Sequence, residues 1–290
     1  MVANTWEKLA TRKLSASILL FLEKSFTKML RPVLRDATHA ALISPSFFAS
    51  LAAELSEKMG AKIVFCKSDQ LSGFLRENEE KYQIILAGDS DYECTENDYN
   101  LMVSCKEVTF FVQNLNFPET RNVFVLPIGI EDPKWAKSGM PWNLRFNLGR
   151  RRLTERVLIG PFRATDPIRE SLLDMQSDEF IFVQRQSLAT FHYARLALDF
   201  LYVVCPRGNG TDTHRVWETL TRGSLPIVLE SHWSRNLASY LPIVILQKWD
   251  KKEIQNLRSE PRVAPDPSKL SYLSTTWWRQ RFVSLISDHS

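Results

Sequence analysis

The sequence predicts an α/β chain folded as two lobes, each a buried parallel sheet flanked by helices, with a cleft between them. Three observations carry this. Short continuous apolar runs alternate with helix-like segments, the pattern of βαβ units around a sheet covered on both faces. The alternation occurs twice, with an irregular stretch between the two sets. The chain of 290 residues is long for one core and comfortable for two.

In the first set, Ala40–Ser44 reads as a strand and Phe47–Met59 as a helix stopped by Gly60. The apolar runs Lys62–Cys66, Tyr82–Ala87, Val108–Gln113 and Val123–Ile128 read as further strands. The break, from about Glu131 to Arg152, holds Pro133, Gly139, Pro141, Gly149 and the triplet Arg150-Arg151-Arg152. It lacks a sustained period and reads as a linker. In the second set, Arg156–Ile159, Phe180–Val183, Phe200–Cys205, Leu225–Leu229 and Val244–Leu246 are expected strands. Pro167–Met175, Leu188–Leu196 and Thr213–Arg222 are expected helices. The end, Tyr272–Ile286, carries Trp277, Trp278, Phe282, Val283 and Ile286 at helical spacing. The expected division is an N-terminal lobe over 1–135, a linker over 136–152 and a C-terminal lobe over 153–270. A helix over 271–290 is expected to pack near the lobe junction.

Hydrophobic residues make up 44% and charged residues 24%, a globular balance rather than a disordered one. The formal net charge of +4 suits an anionic substrate such as a nucleotide diphosphate. It is too small for a nucleic-acid binder, and no basic stripe is interleaved with aromatics. No stretch approaches the roughly 20 apolar residues of a membrane span. The run Ser15–Leu22 reads as an amphipathic helix rather than a signal peptide. Cys66, Cys94, Cys105 and Cys205 show no paired spacing, so neither zinc nor a redox motif is expected. A cytoplasmic location fits this cysteine usage.

The informative segment is Phe200–Leu229. An apolar strand runs into Pro206-Arg207-Gly208-Asn209-Gly210. Thr211, Asp212 and Thr213 are capping types for the next helix. Gly223 is a suitable stop, and a second buried strand follows. In open α/β sheets, ligands bind at the carboxyl edge of the strands. Two glycines let backbone N–H groups approach an anion. The helix N-terminus adds positive partial charge, and Arg207 offers a planar fork for phosphate oxygens. His214 and Glu218 lie four apart and share a helix face.

Asp89-Ser90-Asp91 follows an apolar run. It reads as a polar loop with a helix cap, as an acceptor-side site with Asp91 as base, or as a divalent-metal site beneath a diphosphate. Glu131 is a further candidate between the lobes.

PRGNGTDTHRVWETLTRGSLPIV resembles the C-terminal signature of exostosin-like glycosyltransferases and related bacterial and viral sugar transferases. The match holds at Pro206 to Gly210, Asp212 to Arg215, Trp217, Glu218, Leu220, Gly223 and Pro226 to Val228. The likeness covers about 189–249, including Leu241-Pro242-Ile243-Val244, and extends to Leu158–Arg169. It implies a GT-B-like fold of two Rossmann-like lobes, with the sugar nucleotide on the C-terminal one. Arg207 would neutralise the diphosphate, and Glu218 would accept hydrogen bonds from the ribose. The Gly208, Asn209 and Gly210 backbone, with Asp212 and Thr213, would line the phosphate site. His214 and Arg215 would sit at the phosphate or the transferring sugar. The implied activity moves a sugar from a nucleotide-sugar donor, expected to be a UDP-sugar, to a saccharide or other hydroxyl acceptor. No metal or other cofactor is required, and the catalytic roles fall to Arg207, His214 and Asp91. Two rival readings stand beside it. One is a metal-dependent GT-A transferase built on Asp89 and Asp91. The other is a non-catalytic nucleotide- or carbohydrate-binding module.

Overall fold

The structure, a computed structural model, describes residues 42–78, 81–132, 154–260 and 262–288. Ser44 is extended, and Pro45, which has no N–H to lose, opens α1 (Pro45–Met59). Four strands follow: β1 (Ile63–Lys67), β2 (Ile84–Gly88), β3 (Thr109–Val112) and β4 (Val123–Val125). They pair in that order, all parallel. Every residue of β2 and β3 is buried, as continuous apolar runs demand of strands covered on both faces. The helices α2 (Leu71–Asn78) and α3 (Glu96–Ser104) make the crossovers.

The second sheet contains β5 (Thr154–Ile159), β6 (Ile181–Val183), β7 (Phe200–Val204), β8 (Leu225–Leu229) and β9 (Val244–Leu246). Its order is β6-β5-β7-β8-β9, again all parallel. Its helices are α4 (Pro167–Leu173), α5 (Thr190–Ala197), α6 (His214–Thr221), α7 (His232–Ala238) and α8 (Lys251–Asn256). The chain is thus α/β, with two parallel sheets of four and five strands. Among the described residues, no helix is long and apolar enough to cross a membrane.

The chain end returns to the first sheet as α9 (Thr275–Asp288). Trp278 and Phe282 pack on Phe48 of α1 and Phe111 of β3, with ring centroids 5.0–5.9 Å apart. Trp278 is fully buried, and truncating such a residue costs about 3–5 kcal/mol. Tyr272, just before α9, stacks toward Trp217 of α6 at 6.3 Å. One buried cluster therefore runs from the first sheet through α9 to α6. A second fills the other face of the second sheet.

Several expectations need correction. Of the expected strand Ala40–Ser44, the described part from Leu42 on is no strand: Leu42 makes one antiparallel bridge to Ser274, and the helix start at Ser44 ends the extended run. Residues 40–41 lie outside the described residues, as do the 136–152 linker, the arginine triplet and Ser15–Leu22. The strand expected to reach Ile128 stops at Val125. Pro127 has no N–H for a ladder, and Gly129 turns the chain at φ 69. Helices α2, α3, α7 and α8 were not foreseen. α3 is set by a capping box: Asp98 N–H donates to the Thr95 hydroxyl, and Thr95 N–H donates to the Asp98 carboxylate.

Loops leaving the carboxyl ends of β2, β3 and β4 meet the loop leaving β7. Gly129 shapes that meeting. A Cβ added there would lie 2.3 Å from the Ile43 carbonyl oxygen, which also accepts Ile130 N–H at 2.9 Å. Gly129→Ala is expected to cost about 2 kcal/mol or more and to lower Tm by about 4 °C or more. A melt indistinguishable from wild type would remove this role.

Candidate functional site

The loop after β7 takes its shape from side chains that come from elsewhere. Arg169 of α4 donates from Nε to the Arg207 carbonyl at 2.7 Å and from Nη2 to the Pro206 carbonyl at 3.4 Å. Its guanidinium covers Gly208, where an added Cβ would stand 2.8 Å from Nη2. At Gly210, an added Cβ would stand 2.7 Å from Nδ2 of Asn114. Both glycines therefore make room for side chains.

Asp212 joins this loop to the first sheet. It is buried. One carboxylate oxygen accepts Ile128 N–H at 2.8 Å, and the other accepts Trp217 Nε1–H at 2.7 Å. Its own N–H donates to Asn114 Oδ1 at 2.8 Å. Burial pushes its carboxyl up to about 7, against the pull of the Ile128, Trp217 and Thr213 donors. Asn114 adopts φ 56, a left-handed conformation that asparagine tolerates. Its Nδ2 donates to the Ser90 and Tyr92 carbonyls at 3.3 Å.

A cleft of about 500 Å³ runs along this loop, a size that suits a nucleotide-scale ligand. One wall carries Arg163, Arg169, Tyr193, Arg215 and Glu218, and the facing loops of the first sheet supply Asp91, Ile128 and Glu131. The Arg215 guanidinium sits 4.8 Å from the Phe162 ring and 4.7 Å from the Tyr193 ring. Its Nη2 donates to the Pro161 carbonyl at 2.7 Å. Its Nη1 is buried and has no hydrogen-bond partner, and the same holds for the Tyr193 and Thr213 hydroxyls. Thr213 is the N-cap of α6 but makes no side-chain cap bond. Burial first, then the neighbouring Arg215, pushes Arg169 down to about 10, so it stays charged at neutral pH. Three arginines (Arg163, Arg169 and Arg215), three unsatisfied polar atoms and a helix N-terminus line one cleft. That combination fits an anion.

The expected site residues divide. Arg207 departs from its expected place: Glu93 holds its guanidinium at 2.8 Å and Asp166 at 3.3 Å, and it does not line the cleft. Asn209 donates to Asp91 at 3.0 Å, and Thr211 bonds Glu93. His214 lines the cleft, with Nδ1 2.8 Å from the Gly129 carbonyl oxygen. Gly208, Asn209, Gly210, Asp212, Thr213 and Arg215 also line it. So does Glu218, buried and 3.4 Å from Arg222 Nη2. Asp89 is exposed at φ 53, its N–H bonded to Gln113 Oε1. Among the described residues, no group of three or more His, Cys, Asp and Glu is arranged to hold a metal ion.

Sequence reasoning missed Arg169, Phe162, Tyr193, Glu93 and Asn114. Arg169 lies 38 positions before the loop it grips, so nothing local marks it. Asn114, a polar residue just past a buried apolar strand, carried a usable signal. Comparison of the chain with protein-family models and with curated proteins finds no match in either.

Asp212→Ala would leave two buried N–H donors without partners. At about 1–3 kcal/mol each, the variant is expected to lose about 2–6 kcal/mol of stability, read by denaturant unfolding. A loss well under about 1 kcal/mol would mean that Asp212 does not hold the two sheets' loops together.

Proposed function

We propose that the chain is an exostosin-like glycosyltransferase of GT-B architecture. In this reading it moves a sugar from a nucleotide-sugar donor, a UDP-sugar, to a hydroxyl acceptor without a metal. The observation that carries the proposal is the cationic wall of the cleft, where Arg215 Nη1, the Tyr193 hydroxyl and the Thr213 hydroxyl are buried without partners. The Pro206–Arg215 pattern and its likeness to sugar transferases add support.

Arg215 takes the diphosphate, and Arg169 and the N-terminus of α6 add positive charge beside it. Departure of a nucleoside diphosphate builds negative charge on the leaving oxygens. Positive groups already fixed in a partly dry cleft stabilise that charge without reorganising. Glu218, steadied by Arg222, accepts from the ribose hydroxyls. Ser187, Leu188 and Thr190 also line the cleft, and in this reading they receive the nucleobase. The wall with Asp91 and Glu131 receives the acceptor, and binding both substrates in one cleft supplies orientation.

Arg215 and Arg207 make the decisive comparison. Arg215→Ala is expected to weaken UDP binding by about 1.5–3 kcal/mol, roughly ten- to hundredfold. Arg207→Ala removes a half-exposed ion pair, and its effect should stay under about fivefold. Calorimetry with UDP measures both, and the opposite ranking would return the diphosphate to Arg207. Saturating EDTA should leave most transfer activity intact. Complete loss in EDTA with rescue by manganese would favour a metal at Asp89 and Asp91.

A further inference from the structure

We infer that His214 is the proton acceptor of the transfer, taking the proton of the attacking hydroxyl on Nε2. This rests on the glycosyltransferase reading above. His214 is the first residue of α6 and lines the cleft. Its Nδ1 lies 2.8 Å from the Gly129 carbonyl oxygen. A carbonyl oxygen only accepts, so Nδ1 carries the proton and donates it. In the neutral ring the lone pair is then on Nε2, and among the described residues no hydrogen bond engages that nitrogen.

Gly129 fixes the carbonyl that sets this tautomer, because a side chain there would strike the Ile43 backbone. The ring belongs to α6 of the second sheet, and the carbonyl belongs to a loop of the first. The base is therefore assembled where the two walls meet, which is where an acceptor hydroxyl must reach the sugar. Neighbouring positions on a helix point about 100° apart. His214 and Arg215 thus serve different parts of the cleft, the hydroxyl and the diphosphate.

The other carboxylates of the cleft already carry partners, Asp91 through one oxygen only. Asp91 accepts the Asn209 amide at 3.0 Å. Both Asp212 oxygens are taken by Ile128 and Trp217. Glu218 is held by Arg222, and Glu131 has a partner of its own.

The step balances without a further reactant. The acceptor oxygen forms its bond to the anomeric carbon as the bond from that carbon to the diphosphate oxygen breaks. The bonding pair leaves with the nucleoside diphosphate. The hydroxyl proton passes to Nε2, and the resulting imidazolium later releases it to water.

His214→Asn tests this directly. The asparagine amide keeps an N–H near the Nδ1 position for the Gly129 carbonyl but offers no basic nitrogen. UDP affinity by calorimetry is expected to stay within about twofold of wild type. Turnover should fall about 100-fold or more, measured as UDP release at saturating UDP-glucose, UDP-galactose or UDP-N-acetylglucosamine, whichever wild type uses best. In His214→Ala, added imidazole should restore turnover in proportion to its concentration. Wild-type turnover in His214→Asn overturns the assignment, and so does a loss of UDP affinity that matches the loss of turnover. If wild-type protein neither binds UDP nor releases it from these sugars, the glycosyltransferase reading itself falls.

Discussion

One buried carboxylate holds the candidate site in register. Asp212 accepts from Ile128 N–H on the first sheet's side and from Trp217 Nε1–H on α6. Its backbone N–H is taken by Asn114 from the end of β3. The start of α6 is thereby fixed against loops of the other sheet, and His214 and Arg215 take their positions from it. Burying a carboxylate is costly, and the rise of its pKa to about 7 expresses that cost. The hydrogen bonds offset it in part. A fully partnered buried network specifies geometry more sharply than apolar packing does. Here it specifies the distance between two loops, which no single hydrophobic contact would do.

The second constraint is electrostatic. Burial first, and then the neighbouring Arg215, depress the Arg169 pKa, while Asp166 raises it. The fold tolerates this because each guanidinium is held before any ligand arrives. Arg215 lies between Phe162 and Tyr193 and bonds the Pro161 carbonyl. Arg169 bonds the carbonyls of Pro206 and Arg207. Carbonyl oxygens and ring faces soften the repulsion but supply no full negative charge. The first sheet's loops put Asp91 and Glu131 on the facing side, so the cleft is polarised across its width. Such an arrangement favours an anion beside the arginines.

Much of the fold was legible because parallel strands buried on both faces leave continuous apolar runs. Ile84–Gly88 and Phe200–Val204 are buried at every residue, and both were expected as strands within a residue or two. The unforeseen helices are short. α3 depends on the pairing of Thr95 with Asp98, and α7 on a similar box between Ser231 and Ser234. Caps of this kind act at single positions and leave little periodicity to detect. Within the site, the segment was legible but not the direction of its side chains. His214, Arg215 and Glu218 share the cleft as their helical spacing suggested. Arg207 pairs with acidic side chains, and Arg169, to which the sequence reading gave no site role, lines the cleft. Nothing in the sequence near Arg207 shows that Glu93 and Asp166 will claim its guanidinium.

The outward turn of Arg207 has a physical rationale. A further guanidinium beside Arg163, Arg169 and Arg215 would add repulsion to the cleft. Pairing with Glu93 and Asp166 removes that charge to a half-exposed edge, where an ion pair contributes little energy of its own. What it contributes is placement. Arg207, Asn209 and Thr211 reach Glu93, Asp91 and Glu93 respectively, so three side chains of one loop meet the same opposing loop. Gly208 and Gly210 meanwhile leave room for Arg169 and Asn114 to pack on the backbone between them. A loop pinned from both sides has little freedom left to lose when a ligand binds beside it. That lowers the entropic cost of binding, and it makes the loop a rigid wall for the cations rather than their source.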